Sequence, residues 1–371
     1  MMYRPLWIEI DLKALRDNFR AIKRRIGNKT GIIATVKQNA YGHGLLPVAR
    51  ELSRMKTDFF GLESIEEAVI LRRQNFNEPI LILTAILPRF ASAFIQYRLT
   101  PTIVDINFAR ALNREAKNKG VIMPGHVKVD TGMGRLGLNC REVFDFVLDL
   151  KKLRNIRLEG IYTHFPAADA DKAFTKQQIA LFAALVEAFK KENIHFKYIH
   201  CANSAAIVNF PESYLNLVRP GLILYGIKPA PRAKLAVVPV LSLKTRVIFV
   251  KDIAEGATVS YGRTYAAKKK TRIATLAVGY ADGYQRILSN RAKVIIKDGL
   301  FPVAGRVCMD HTMVDLGGRK DIKAGEEVVL LGKKGKREIS AGDLADWAGT
   351  IPYEITTCLS SRIPRIYKKI K

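Results

Sequence analysis

Cysteine is scarce and scattered in this 371-residue sequence: Cys140, Cys201, Cys308 and Cys358 stand far apart, and no two form a C-x-x-C pair. That spacing argues against a disulfide framework and against a thiolate metal site, and it fits a reducing compartment. No metal is expected. Long apolar runs are also missing. No stretch of about 18 apolar residues, the length that would suggest a membrane span, occurs anywhere. The N-terminal "MMYRPLWIEIDLKALRDNF" lacks the apolar core of a signal peptide. The expectation is a soluble, cytoplasmic protein with no membrane partner. Acidic residues are in deficit: 34 Asp and Glu face 61 Lys and Arg, a formal net charge of +27. Such an excess raises the question of nucleic-acid binding. The basic residues are spread along the whole chain, however, with only short clusters such as "KKK" (268–270) and "KKGK" (333–336). No helix-turn-helix, zinc-finger or aromatic-rich RNA-binding pattern accompanies them. A basic, solvated surface is expected, and no nucleic-acid partner.

What is present is enough apolar residue for a sizeable core, 48% of the chain, and length enough for two domains or a barrel plus a smaller unit. From residue 31 to about 225, short β-branched or aromatic runs alternate with helical patterns. The runs are "GIIATVK" (31–37), "DFFGL" (58–62), "PILIL" (79–83), "TPTIV" (100–104), "GHVKVD" (125–130), "RLEGIYT" (157–163), "KYIHC" (197–201) and "LNLVR" (215–219). Eight strands with intervening helices predict a (β/α)8 barrel of the TIM type. Polar residues gather where those strands end: Lys37, Asp130 to Arg135, His164, Asn203, Ser204 and Arg219. In such a barrel these ends share one face, where active sites are built. After "PGLILYGIKPAPRAK" (220–234) the strand-like runs follow one another without long helices. This predicts a mostly β C-terminal domain over 231–371, behind a barrel domain over 1–230. The N-terminal "LWIEIDL" is strand-like and is read as a strand that belongs with the second domain.

Lys37 closes an apolar run and is followed at once by "QNAYGHG". Most strand-end lysines are surface residues. One held in a half-desolvated pocket has a lowered pKa, and can act as a base or form a Schiff base with pyridoxal phosphate. Tyr41, Gly42 and Gly44 would let backbone approach a phosphate, with the phenol as donor. The sequence "GMGRLG" (132–137) fits G-x-G-x-x-G, but "LNCRE" does not open a clean helix, so dinucleotide binding is not supported. Lys128 alternates with Val127 and Val129 and should point into the barrel or its mouth. Read alone, Arg219 suits an ion pair, His164 a packed ring and Tyr261 a core position.

"VKQNAYGHG" resembles the cofactor-lysine motif of the alanine racemase family. The resemblance continues through "VDTGMGRLG" (129–137), "IYTHF" (161–165), "CANSAA" (201–206), "VRPGLILYG" (218–226), "VSYG" (259–262), "VGYADG" (278–283), "GRVCMD" (305–310) and "TIPYEI" (350–355). It implies a pyridoxal-phosphate enzyme that interconverts L- and D-alanine for cell-wall peptidoglycan. It also implies a homodimer with shared active sites. Lys37 and Tyr261, the latter from the partner chain, are implied as the two bases. Arg135 is implied at the cofactor's phenolic oxygen and the substrate carboxylate, Arg219 at the pyridine nitrogen, and His164 against the ring. Tyr41, Ser204, Gly221, Leu222 and Tyr353 are implied as phosphate contacts, with Asn203 beside them. Tyr280, Met309 and Asp310 are the implied substrate contacts of the partner, and Lys128 is implied as a carbamylated lysine bonded to Arg135. Two departures from the family pattern, Gln38 in place of alanine and the proline of "FPAAD" (165–169), touch none of these residues. Other readings are a racemase acting on serine or basic amino acids, and a non-catalytic pyridoxal-phosphate carrier.

Overall fold

Each of the eight runs between residues 31 and 219 is too short for a helix and rich in residues that suit a pleated surface. In the computed structural model, which describes residues 3–229 and 235–368, each forms a strand. In chain order the first ten strands are β1 (Leu6–Asp11), β2 (Gly31–Thr35), β3 (Phe59–Leu62), β4 (Ile80–Ile82), β5 (Thr100–Ile103), β6 (Met123–Asp130), β7 (Leu138–Asn139), β8 (Ile156–Tyr162), β9 (Tyr198–His200) and β10 (Leu217–Val218). All pairings from β2 to β10 are parallel, and β10 pairs back onto β2. The result is a closed eight-stranded barrel with the two-residue β7 attached to β6. Strands β3, β4 and β5 are buried along their whole length, as parallel strands covered on both faces must be. Ile33, Phe59, Leu81 and Leu217 pack together. Truncating one of these to alanine would cost roughly 2–5 kcal/mol.

Several of the intervening helices start where short polar side chains satisfy their first N–H groups. Asp105 accepts from Phe108 N at 2.6 Å ahead of the helix Ile106–Asn118, and Asp171 accepts from Phe174 N at 2.9 Å ahead of Lys172–Lys191. Among the described residues no helix is long and apolar enough to cross a membrane.

A second unit comprises Met1–Ala14, Tyr41–Gly44 and Pro239–Lys371; the barrel unit is Leu15–Ala40 with Leu45–Val238. The boundary expected at 230–231 lies outside the described residues. The remaining strands are β11 (Leu241–Ile253), β12 (Thr258–Val259), β13 (Tyr265–Ala266), β14 (Thr271–Leu276), β15 (Lys293–Ile296), β16 (Gly299–Pro302), β17 (Thr312–Gly317), β18 (Glu327–Lys334), β19 (Arg337–Ile339) and β20 (Arg365–Lys368). β1 pairs antiparallel with β11 and parallel with β20, so "LWIEIDL" belongs with these strands. The long β11 serves two neighbourhoods: its first half pairs with β1 and β18, and its second half with β14 after an irregularity between Val247 and Phe249. Among these strands lies the helix Ala341–Ala348, closed at its start by a Ser340–Asp343 capping box.

Candidate active site

Immediately after β2 the backbone does something unusual. Gln38, Asn39, Ala40 and Tyr41 have φ of 54°, 53°, 53° and 54°, a left-handed turn of four L-residues. Each such residue costs roughly 1–2 kcal/mol, because Cβ crowds the following carbonyl. Lys37 stands at the head of this turn. Its Nζ lies 2.7 Å from Glu63 Oε2, at the end of β3. Lys37 is therefore half of an ion pair, a partner the sequence reading did not name. The rest of the motif packs in the second unit. A Cβ on Gly42 would overlap the Thr356 carbonyl oxygen, and one on Gly44 the Tyr367 hydroxyl. The two glycines thus answer close packing against the C-terminal segment. Tyr41 is buried there, its ring centroid 6.0 Å from that of Tyr353.

Inside the barrel the polar side chains form a continuous path. Arg219, directly after β10, is buried and donates to Thr163 O at 2.6 Å, Cys201 O at 3.0 Å, His164 Nδ1 at 3.3 Å and His200 Nδ1 at 2.6 Å. A guanidinium can only donate, so His200 Nδ1 must be unprotonated and its Nε2 must carry the hydrogen. That hydrogen is donated to His126 Nδ1 at 3.0 Å. Burial, reinforced by the Arg219 charge, pushes His126 down to about 3, and the same two causes hold His164 and His200 well below the usual imidazole range. The Tyr162 ring stacks on His200 at 4.7 Å, and its hydroxyl lies 2.6 Å from Thr102 Oγ1.

Lys128 is buried, its Nζ 5.4 Å from the centre of the Tyr162 ring. Burial, followed by the charges of Arg219 and Arg135, pushes its amine down to about 8. Lys37 and Glu63 act on the same amine from within Coulombic range. Arg219, Arg135, Lys37 and the Glu63 carboxylate thus all lie within electrostatic reach of Lys128. Arg135 is exposed on the "GMGRLG" loop. That loop resembles a phosphate-binding turn only in its letters. Its N–H groups at Gly132, Met133 and Gly134 already donate to the Asp130 carboxylate, at 2.7–2.8 Å. Ser204 Oγ accepts from Gly221 N at 2.9 Å, which ties the start of the helix Ser204–Asn209 to the turn that begins at Leu222. Asn203 is that helix's cap: its Oδ1 accepts from Ala206 N at 3.0 Å and its Nδ2 donates to Phe165 O at 3.1 Å.

The other candidate residues lie in the strand-rich unit. Tyr261 is 72% exposed, which removes the core reading of this tyrosine. It sits between Ser260 (φ 68°) and Gly262 (φ 69°) in a strained loop. Ser260 Oγ donates to Arg306 O at 2.7 Å and lies 3.3 Å from Cys308 Sγ. Tyr280 N and Ala281 N donate to the carbonyls of Cys308 and Met309, at 2.9 and 3.1 Å. These bonds gather Tyr261, Tyr280 and Met309 into one loop cluster. Beneath it, buried Asp282 accepts from both Arg4 (2.6 and 2.7 Å) and Arg362 (3.1 and 2.9 Å), and from Gly279 N at 3.0 Å. Asp310 Oδ1 accepts from Arg362 Nη2 at 3.3 Å.

Sequence reasoning did not single out Glu63, Glu67, His126, His200 or Asp282. Glu63 was findable as a charged residue directly at a strand end. The two histidines carry no local signal, since their pairing joins strands 74 residues apart.

The family model described as alanine racemase, N-terminal domain, matches residues 10–229, and that described as alanine racemase, C-terminal domain, matches 240–367. The alanine racemase of Halothermothrix orenii is 43% identical over 368 residues, 98% of this chain and 97% of that one. That of Clostridium perfringens is also 43% identical, over 99% of this chain and 96% of its own. Among solved structures, alanine racemase from Clostridium difficile superposes with a TM-score of 0.94 at 36% identity, covering 99% of this chain and 97% of that one. Alanine racemase from Bacillus anthracis, solved with bound L-Ala-P, gives 0.92 at 34% identity, covering 100% and 96%. The chain belongs to the alanine racemase family, isomerases that interconvert L- and D-alanine.

Proposed function

We propose that this isomerase works with pyridoxal phosphate, with Lys37 as the cofactor lysine and one base and Tyr261 as the other. The observation that carries the reading is the cation set at the barrel mouth: Lys37, Arg135 and Arg219 all lie within electrostatic reach of Lys128, with Glu63 paired to Lys37, and such a set suits an anionic, phosphate-bearing group. Pyridoxal phosphate, when bound, supplies the electron sink that makes the hydrogen on the substrate's α-carbon acidic.

Lys37, Tyr41, Arg135, His164, Asn203, Ser204, Arg219, Gly221, Leu222 and Tyr353 would hold that group. Arg219 has no lone pair and always presents N–H, so it can donate to a ring nitrogen but cannot accept a proton from it. The pairing of Lys37 with Glu63 keeps the amine at the head of its turn. Racemisation needs one group to remove the α-proton on one face and another to return a proton on the opposite face; Lys37 and Tyr261 take these roles. Arg135, Tyr280, Met309 and Asp310 bind and orient the amino acid. Alanine as ligand is supported by the Bacillus anthracis relative, solved with bound L-Ala-P. The lowered pKa of Lys128 supports a carbamate there, because the neutral amine is the form that adds carbon dioxide. Two chains form the working enzyme, in the cytoplasm, and its D-alanine serves cell-wall peptide.

The test is turnover of L-alanine, followed by D-amino acid oxidase on the product, with borohydride reduction and peptide mapping of the same enzyme. D-Alanine should form, and the label should sit on Lys37. A label on another lysine, or pyridoxal phosphate bound without turnover, would overturn the reading.

A further inference from the structure

The helix Ile65–Arg73 opens with the sequence Ser64-Ile-Glu-Glu67, the pattern of a capping box, in which the cap serine and the glutamate three residues on each bond the other's backbone N–H. Here only half of the box is made. Ser64 Oγ accepts from Glu67 N at 3.2 Å. The Glu67 carboxylate instead accepts from Asn39 N at 2.6 Å and from Gln38 N at 3.1 Å. In the helix Ala341–Ala348 of the same protein, both halves of the box are present. Glu67 forgoes a bond within its own helix and binds the two N–H groups that directly follow Lys37.

Those two residues begin the left-handed turn, with φ/ψ of 54°/56° at Gln38 and 53°/45° at Asn39. Neither is glycine, so something outside the turn must offset the strain. Two hydrogen bonds to one ionised carboxylate are well suited to this, being stronger than neutral ones and fixed in direction. At the far side of the turn Asn39 Oδ1 accepts from Leu45 N at 2.8 Å, so the segment is held at both ends. Without the carboxylate the turn would relax toward right-handed geometry, and the direction of the Lys37 side chain would change with it. A misplacement of about 1 Å at a reacting group can lower the rate about a hundredfold.

We propose that Glu67 is a positioning residue for Lys37: its carboxylate clamps the left-handed turn and so aims the amine. This rests on the reading of Lys37 as the reactive lysine. The test compares the holoenzymes of the wild type, Glu67→Gln, Glu67→Ala and the double variant Glu67→Ala with Gln38→Gly. Gln38 is exposed, and glycine takes positive φ without the Cβ clash. Three readouts are taken: the fraction of Lys37 trapped by borohydride, kcat and KM per trapped site, and hydrogen exchange of the peptide covering residues 36–44.

Glu67→Ala should keep KM within about twofold while kcat per loaded site falls about ten- to a hundredfold, with faster exchange in the 36–44 peptide. Glu67→Gln, which keeps one acceptor oxygen, should fall between wild type and Ala, and Gln38→Gly should recover part of the Glu67→Ala loss. If Glu67→Ala loses folded protein but keeps wild-type kcat per loaded site, the role is structural and the proposal is overturned. Unchanged exchange in the 36–44 peptide overturns it as well. A wild-type label on a lysine other than Lys37 would instead refute the assignment of that lysine, and the exchange result would still decide whether Glu67 holds the turn.

Discussion

Three buried or half-buried imidazoles, His126, His164 and His200, meet Arg219 or one another in the barrel, and all three are held neutral by desolvation and the Arg219 charge. Their folded pKa values lie below the unfolded value of about 6.5. The unfolded chain therefore binds more protons than the native one as soon as the pH falls below about 6.5. The stability these groups provide is complete above that value and is lost progressively beneath it; for His126 the loss extends down to about 3. Each group contributes a slope of at most about 1.4 kcal/mol per pH unit. Denaturant unfolding at pH 7.5, 6.5 and 5.5 should show stability dropping below pH 6.5, before ordinary carboxylates titrate. His126→Gln should remove up to one proton's share of that slope. A flat profile from pH 7.5 to 5.5 would contradict the neutral path. At this scale the sequence was only partly legible. Lys37 announced itself by closing an apolar run, and Lys128 by alternating with two valines. Glu67 did not, because its site partners are two backbone N–H groups 28 and 29 residues away. The rejection of dinucleotide binding at "GMGRLG" was right, but its physical reason, the Asp130 carboxylate that already fills the turn, is not readable from glycine spacing.

Elements were legible where a period exists. Strand alternation and apolar runs marked all eight barrel strands. The left-handed turn has no period, and only its flanking glycines, Gly42 and Gly44, hinted at a change of direction. The turn Tyr280–Asp282 was hidden for a similar reason. It is held by Asp282, whose two guanidinium partners, Arg4 and Arg362, are 278 and 80 residues distant. Although burial alone would raise this carboxylate's pKa, the hydrogen bonds from Arg4, Gly279 and Arg362 lower it on balance, so it is ionised and paired. Asp282→Ala would leave two arginines facing each other beneath the Tyr280–Met309 loops. The expected cost is about 2–4 kcal/mol, at or below the usual value for a broken buried pair because both guanidiniums are partly in water. It should appear in denaturant unfolding, with a rise in KM as Tyr280 and Met309 loosen. A change within about 0.5 kcal/mol, the range of ordinary surface substitutions, would show that the pair is not what holds the turn.

For the whole molecule, two units built from interleaved segments of one chain set the limits of what sequence could tell. The strand at Leu6–Asp11 pairs with residues near 241–245 and 365–368, a separation no local pattern encodes. The change from alternating strands and helices to consecutive strands was visible because it alters the pattern itself. The candidate residues divide along the same line: Lys37, Lys128, Arg135, His164 and Arg219 belong to the barrel unit, whereas Tyr41, Tyr261, Tyr280, Met309 and Tyr353 belong to the strand-rich unit. A two-fold dimer in which the loops carrying Tyr261, Tyr280 and Met309 in each chain serve the other chain's barrel would complete both sites at once. Mixing Lys37→Ala with Tyr261→Ala, each inactive alone, tests this together with the two-base chemistry. In a mixed dimer one site regains both groups and the other loses both. With random reassortment about half the dimers are mixed, so roughly a quarter of wild-type alanine racemisation should return. Recovery near zero, with mixed dimers confirmed by native mass spectrometry, would contradict a site built from Lys37 of one chain and Tyr261 of another.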